Sequence, residues 1–304
     1  MPRARSTPRS RRVDGYAFAA IAPLAALLPV WAIAVAVFWW ITQIFVDVSY
    51  LLFAGIWLVS GIVLFWQPTQ KLVLRRLLGA RRPYMHERDK LQHAWLVVAQ
   101  ANHIPPSRFV LGVVDADDVN AFASGGHLVV VSSYAIEHLT HEQLTGVLAH
   151  ELSHHLGSHT IALTIAQWLS LPIVVLAQIG FFLQNTARAA SQSFAPQSRV
   201  IQVLERGVVV FLTAVSWIFL VTLTLSQHIG NIVGKGTEFK ADERAIDMGF
   251  GKELSSALRH VIDNGLGERP TNWRDRLISA HPPARTRVAK IDANLRQRQS
   301  QNRR

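Results

Sequence analysis

Half of the 304 residues are hydrophobic, 17% are charged and the mean hydropathy is +0.21, a balance that argues against an ordinary soluble enzyme. The absence of cysteine excludes disulfides, thiolate zinc sites, iron–sulfur clusters and cysteine nucleophiles, so any metal must be held by His, Asp or Glu. The net charge of +11 reads as membrane topology and attraction to anionic lipid, and without a recognition motif no nucleic-acid partner is expected.

Residues 1–15 form a basic tail with Arg3, Arg5, Arg9, Arg11 and Arg12. The chain is then uncharged from Tyr16 to Val46 and, after Asp47, through Gln70, so residues 16–70 are expected to form two membrane helices. The first is read as one span, tilted or kinked at Pro23 or Pro29. It is too long for a signal-peptide core and a second span follows closely, which favours an uncleaved anchor. A polar region, 71–159, separates these from two more apolar blocks, Thr160–Asn185 and Gly207–Gly230, expected as a membrane hairpin over 160–230. Each block exceeds the roughly 20 residues that cross a ~30 Å hydrocarbon core. A second polar region, 231–293, and a basic tail, 294–304, complete the chain.

Lys and Arg set the orientation. Lys71, Arg75, Arg76, Arg81 and Arg82 follow the second block, and the link around Asp47 has no basic residue. Arg188 and Arg199 lie between the third and fourth blocks, and Lys235, Lys240 and the basic tail follow the fourth. Four spans with both termini in the cytoplasm satisfy this pattern. The expectation is a multi-pass protein of the cell (inner) membrane, whose two polar regions combine into one cytoplasmic domain.

In the first polar region, "RFVLGVV" and "HLVVVSS" are β-branched runs separated by turn residues, and read as strands. A helix is expected to start at Thr140, because "THEQL" fits a capping box with Gln143 at the third position. Leu144, Val147, Leu148, Leu152 and Leu156 then recur at helical spacing. His150 and His154 share a face of that helix one turn apart, with Glu151 beside them, the HExxH arrangement that lets two imidazoles reach one ion. His155 is about 100° further round and His159 about half a turn away, so neither joins the pair while the helix persists. Gly157 matches the glycine of a longer three-histidine pattern, but Thr160 stands where its last histidine belongs. The competing reading is a polar helix face approaching the membrane.

The third ligand must come from elsewhere, and "GTEFKADERAIDMGF" offers it. Glu238 and Asp242 are again one turn apart, on a helix that follows the fourth block. If the hairpin returns the chain to the same side, Glu238 can complete a His2Glu zinc site with a fourth position open, and Asp242 can accept a hydrogen bond from a ligating histidine. An acidic pair of this spacing is more often a solvated face.

From about Tyr16 to Ala293 the chain resembles the membrane zinc peptidases of the HtpX and type 1 CAAX prenyl protease family. The resemblance rests on "HELSH" and "EFKAD" separated by two spans, on "NAFASGGHLVVVSS" beginning at Asn120, and on "HPPARTRV" beginning at His281. It implies one Zn2+ per chain held by His150, His154 and Glu238, with Glu151 as the catalytic base and Asp242 beside a ligand. It also places His281 and Arg287 near the site, as substrate or transition-state contacts or as a helix cap and salt bridge, with Asn120 a further candidate for such a contact. Ser153 departs from the glycine common at that position, and the resemblance assigns no role to the Arg/Ser-rich extension at the N-terminus. A substrate strand could add beside "HLVVVSS", with 120–133 as the edge, or that strand could be internal.

The expected fold is a mainly α membrane protein with four transmembrane helices and a cytoplasmic thermolysin-like (gluzincin) α+β catalytic domain. The expected function is a zinc-dependent endopeptidase whose polypeptide substrates are misfolded or damaged membrane proteins. A CAAX-type processing protease and a catalytically inactive membrane scaffold are the alternatives.

Overall fold

The computed structural model describes residues 21–157, 159–194, 199–265 and 282–301; the N-terminal tail, His281 and the side chain of His159 lie outside them. The described chain divides into two compact units, one of residues 21–61 and 165–230, the other of residues 62–164 and 231–301.

The first apolar block forms α1 (Ile21–Thr42), which runs through Pro29. The second begins as α2 (Tyr50–Ser60), with Ser49 accepting a hydrogen bond from the Leu52 amide. It is not one straight helix. A 3-10 turn, Gly61–Phe65, ends at Trp66, and Tyr50–Phe65 is bent by 77° against Gln67–Val73. Pro68 explains the break, since it has no amide hydrogen for the Leu64 carbonyl four residues earlier; Gln70 Nε2 donates to that carbonyl instead, at 3.0 Å.

The chain continues with α3 (Met85–Ala101), then β1 (Val110–Val114), β2 (Ala121–Ser124) and β3 (Leu128–Ser132). α4 (Ser133–His138) and α5 (His141–Leu156) follow. Two long helices come next, α6 (His159–Phe194) and α7 (Arg199–Asp247), then α8 (Gly251–Asp263) and α9 (Ala284–Gln301). Among the described residues, Leu24–Thr42, Thr160–Ala189 and Arg206–Thr224 are long and apolar enough to cross a membrane, and the bent pair raises the number to at most four.

In the first unit, Leu27, Trp31, Val35, Leu169, Ile173 and Phe219 form a buried cluster. Gly61 is required there: a Cβ would meet the Trp168 ring at 2.7 Å, and that indole donates to Trp57 O at 2.9 Å. Small residues admitting close helix contact are the usual means of association in lipid.

In the second unit the sheet order is β1-β3-β2, with β1 parallel and β2 antiparallel to β3. β3 is paired on both sides and buried throughout, so the edge reading of "HLVVVSS" is corrected to an internal strand. The edges are β1, bridged at Val113 by Arg81, and β2, which pairs Ala121 with Val131 and Ser124 with Leu128. Apart from Phe122 the side chains of β2 are small, and with the Gly125–Gly126 turn they carry little strand signal, so it is not among the strands expected. Val129 and Val131 pack against Leu91, Trp95, Leu144, Leu148 and Leu152 from α3 and α5.

The start of α5 follows the capping-box expectation: Thr140 Oγ1 accepts from the Gln143 amide at 3.2 Å and Gln143 Oε1 accepts from the Thr140 amide at 2.9 Å. Its end differs. α5 stops at Leu156, the last of its periodic apolar positions, and α6 starts afresh at His159. Gly157 closes the helix with its amide on Ser153 O, and Arg244 of α7 donates to the same carbonyl at 3.1 Å. Such terminal carbonyls need an outside donor.

Where α5 crosses α8, Gly146 has no spare room, because a Cβ would lie 2.3 Å from the Leu254 amide nitrogen and 2.5 Å from the Glu253 carbonyl carbon. Backbone cannot move aside as a side-chain tip can. Gly146→Ala should therefore force the helices apart and cost about 1–3 kcal/mol or more, read as a lowered Tm of the purified protein; an unchanged Tm would contradict this crossing.

Candidate metal centre

His150 and His154 lie in the last turns of α5, where the buried Leu144, Leu148 and Leu152 fix the opposite face against the sheet. Glu238 and Asp242 lie on α7, whose Ala245 and Ile246 enter the same core. All four polar side chains are buried. Ser153 fits its place: its hydroxyl, fully buried, donates to His150 O at 2.7 Å.

Three ligand-type atoms converge. His150 Nε2 and His154 Nε2 are 3.2 Å apart, Glu238 Oε2 is 3.3 Å from the first and Glu238 Oε1 3.2 Å from the second. A tetrahedral ion with nitrogen and oxygen ligands at about 2.0–2.1 Å separates neighbouring ligand atoms by about 3.3 Å. The described residues thus hold a His-His-Glu group able to bind a metal, with donors that suit zinc. The expected third ligand is brought to the pair from a helix 84 residues on by number.

Around this group the charges have a clear order. His150 Nδ1 stands 3.0 Å from Asp242 Oδ1, so Nδ1–H donates to the carboxylate and Nε2 keeps its lone pair for a cation. Arg287 of α9 clasps Asp242 through two bonds, Nε to Oδ2 at 3.0 Å and Nη2 to Oδ1 at 2.7 Å. Burial would raise the Asp242 pKa, but the Arg287 charge and the His150 contact hold it down to about 2. Burial and the Arg287 charge oppose protonation of His150, yet hydrogen bonds to Asp242 and Glu238 prevail and raise its pKa to about 9. Glu151, Glu238 and Asp242 against Arg287 leave an excess of negative charge in a buried cluster, which a divalent ion offsets.

Glu151 is 2% exposed, and its Oε2 is buried without a hydrogen-bond partner. Buried carboxylate oxygens are seldom orphaned; this one has capacity for a water's proton. His155 faces away. Its Nε2 lies 3.0 Å from Leu128 O on β3, its ring packs on Phe109 at 4.9 Å, and burial pushes its pKa down to about 3, so it is a neutral donor tying α5 to the sheet. Asn120 stands just before β2, its carbonyl accepting from the Ser132 amide and its own amide bonded to Ser132 Oγ. Arg287, 5% exposed, faces Asp242 rather than open space, the salt-bridge alternative of the sequence reading. Arg244 was missed altogether, since nothing in one sequence says which arginine will cap a helix 91 residues away.

Comparison with known proteins fits this geometry. The family model described as Peptidase family M48 matches residues 85–295. A protein named Protease HtpX homolog from Acidiphilium cryptum is 28% identical over 212 residues, covering 62% of this chain and 68% of that protein. Protease HtpX from Nitrosococcus oceani is 25% identical over 267 residues, covering 80% and 84%. The crystal structure of S. mikatae Ste24p is similar with a TM-score of 0.49 at 16% identity, over 91% of this chain and 64% of that protein's length. A family match over more than two thirds of the sequence means that the chain belongs to peptidase family M48, as an HtpX-like membrane metallopeptidase.

Proposed function

We propose that this protein is an integral-membrane zinc endopeptidase in which His150, His154 and Glu238 hold the ion, Glu151 is the general base and Asp242 orients His150. The observation that carries this reading is the meeting of three ligand atoms at 3.2–3.3 Å beside the orphaned carboxylate oxygen of Glu151. Zinc, when bound, polarises the scissile carbonyl and acidifies water. Glu151 takes a proton from the attacking water as its oxygen adds to the carbonyl carbon. It then delivers that proton to the amide nitrogen as the C–N bond breaks, releasing an amine and a carboxylate. Asp242, anchored by Arg287, keeps the His150 ring from turning. The substrate backbone lies antiparallel along β2, an edge of the sheet, with Asn120 at its start.

Four spans, with both termini and the active site in the cytoplasm, follow from the distribution of Lys and Arg. In sequence the site adjoins the membrane: six positions separate His154 from Thr160, where an apolar span begins. We infer that its substrates are cytoplasmic loops and tails of misfolded or damaged membrane proteins. The test presents one peptide sequence to the protein in vesicles, either soluble or tethered to a membrane helix, with the concentration advantage of tethering measured separately. Tethered peptide should be cut faster than that advantage alone allows. Equal intrinsic rates would reject the membrane-substrate reading, and cleavage only from the face opposite the basic loops would reject the topology.

A further inference from the structure

The segment after the 77° bend carries a second, cationic feature that peptide cleavage does not use. Trp66, Leu72 and Val73 are 64%, 59% and 48% exposed and share this short helical stretch with Lys71, Arg75 and Arg76. Its middle, Gln70–Leu74, is a π-turn. At its end the chain turns on Gly79, whose positive φ of 70° suits glycine, with Ala80 N on Arg75 O at 2.8 Å. Arg81 then pairs with Val113 of β1 through both backbone bonds, at 2.7 and 3.0 Å. Arg75 reaches the neighbouring position of the same strand, its Cδ lying 3.6 Å from where a Cβ of Gly112 would stand. Arg75 is thereby held against β1, with Arg76 next to it in the chain and the exposed Arg82 directly after the Arg81 bridge.

The nearby acids do not neutralise them. Arg81 takes both, Glu87 at 2.6 and 2.7 Å and Asp115 at 2.8 and 3.1 Å. Among the described residues no carboxylate pairs with Arg75, Arg76 or Arg82. Arg75 Nε is buried with no hydrogen-bond partner, and burial, followed by the charges of Arg82 and Arg76, pushes its pKa down. A buried guanidinium N–H without an acceptor, among like charges, calls for an anion with several oxygens. The exposed tryptophan and aliphatic side chains on the same stretch give that anion a source, because such residues occupy the headgroup level of a bilayer.

We propose that Arg75, Arg76 and Arg82 form a binding site for the phosphate of an anionic phospholipid, with Trp66, Leu72 and Val73 set in the membrane interface beside it. The site rests on the membrane location of the protein and is independent of the peptidase reading. A general excess of positive charge on the cytoplasmic side would attract anionic lipid without a site, and the experiment separates the two.

Full-length protein in neutral detergent is titrated with phosphatidylglycerol, phosphatidylcholine or inorganic phosphate, and its thermal unfolding midpoint is followed, since a ligand of the native state raises it saturably. Phosphatidylglycerol should give a saturable rise, phosphatidylcholine none, and inorganic phosphate a much weaker one. The pair Arg75→Gln with Arg82→Gln should weaken the lipid response about tenfold or more, without lowering the midpoint in the absence of lipid. Lys252→Gln with Arg296→Gln, which removes the same charge elsewhere, should leave it unchanged. Should the first pair fail to fold, Arg76→Gln, at an exposed position, should still weaken the response several-fold. The proposal is overturned if the two charge-matched pairs behave alike, if Arg76→Gln binds as wild type does, or if inorganic phosphate matches phosphatidylglycerol.

Discussion

Glu151→Gln is expected to keep its metal and lose about 10²–10⁴-fold in kcat/KM, the range that general acid–base catalysis supplies. The substitution preserves shape and one carbonyl-type oxygen but removes the ability to accept and return a proton. Because Glu151 lies outside the ligand triad, metal content measured on the same sample should stay near that of wild type. The Oε2 atom has no partner to lose, so stability should be unharmed. Turnover near wild type would reject Glu151 as the base, and loss of metal together with activity would make it a ligand instead. Any self-cleavage seen in the wild-type protein should also cease in this variant.

The ligand assignment makes a sharper distinction among neighbouring residues. His150→Ala, His154→Ala and Glu238→Ala should each leave little zinc after dialysis, whereas His155→Ala and His159→Ala should retain it. His155→Ala should show a different defect, a loss of about 1–3 kcal/mol in stability, because Leu128 O is left buried without its donor. Asp242→Asn should fall between, with zinc affinity lowered roughly 10–100-fold as for other groups that orient a ligand, and Arg287 left without its carboxylate. Zinc retained by Glu238→Ala but lost from His159→Ala would replace the His2Glu site with a three-histidine one.

Parts of this arrangement were legible in the sequence because they depend on neighbours along the chain. The Thr140–Gln143 cap, the one-turn spacing of His150 and His154, and that of Glu238 and Asp242 are properties of single helices. Helical phase alone also turned His155 away from the metal. What one sequence could not disclose is contact between distant segments. Arg287 reaches Asp242 across 45 positions and Arg244 caps α5 across 91, and no local rule names either pairing. β2 went unseen because its identity as a strand comes from its partner, not from its own small residues. The break at Trp66 did leave a trace in Pro68, which lies where the second apolar block ends.

The central claim is that one zinc ion is held by two imidazoles and one carboxylate in a peptidase embedded in the membrane. Zinc-edge X-ray absorption on purified full-length protein examines that shell directly. The expected spectrum fits two imidazole nitrogens and two oxygens at about 2.0–2.1 Å, with one oxygen shell contribution lost or replaced in Glu238→Ala. A shell of three imidazoles, a six-coordinate oxygen environment, or protein that carries no zinc at all when purified without chelators would contradict it.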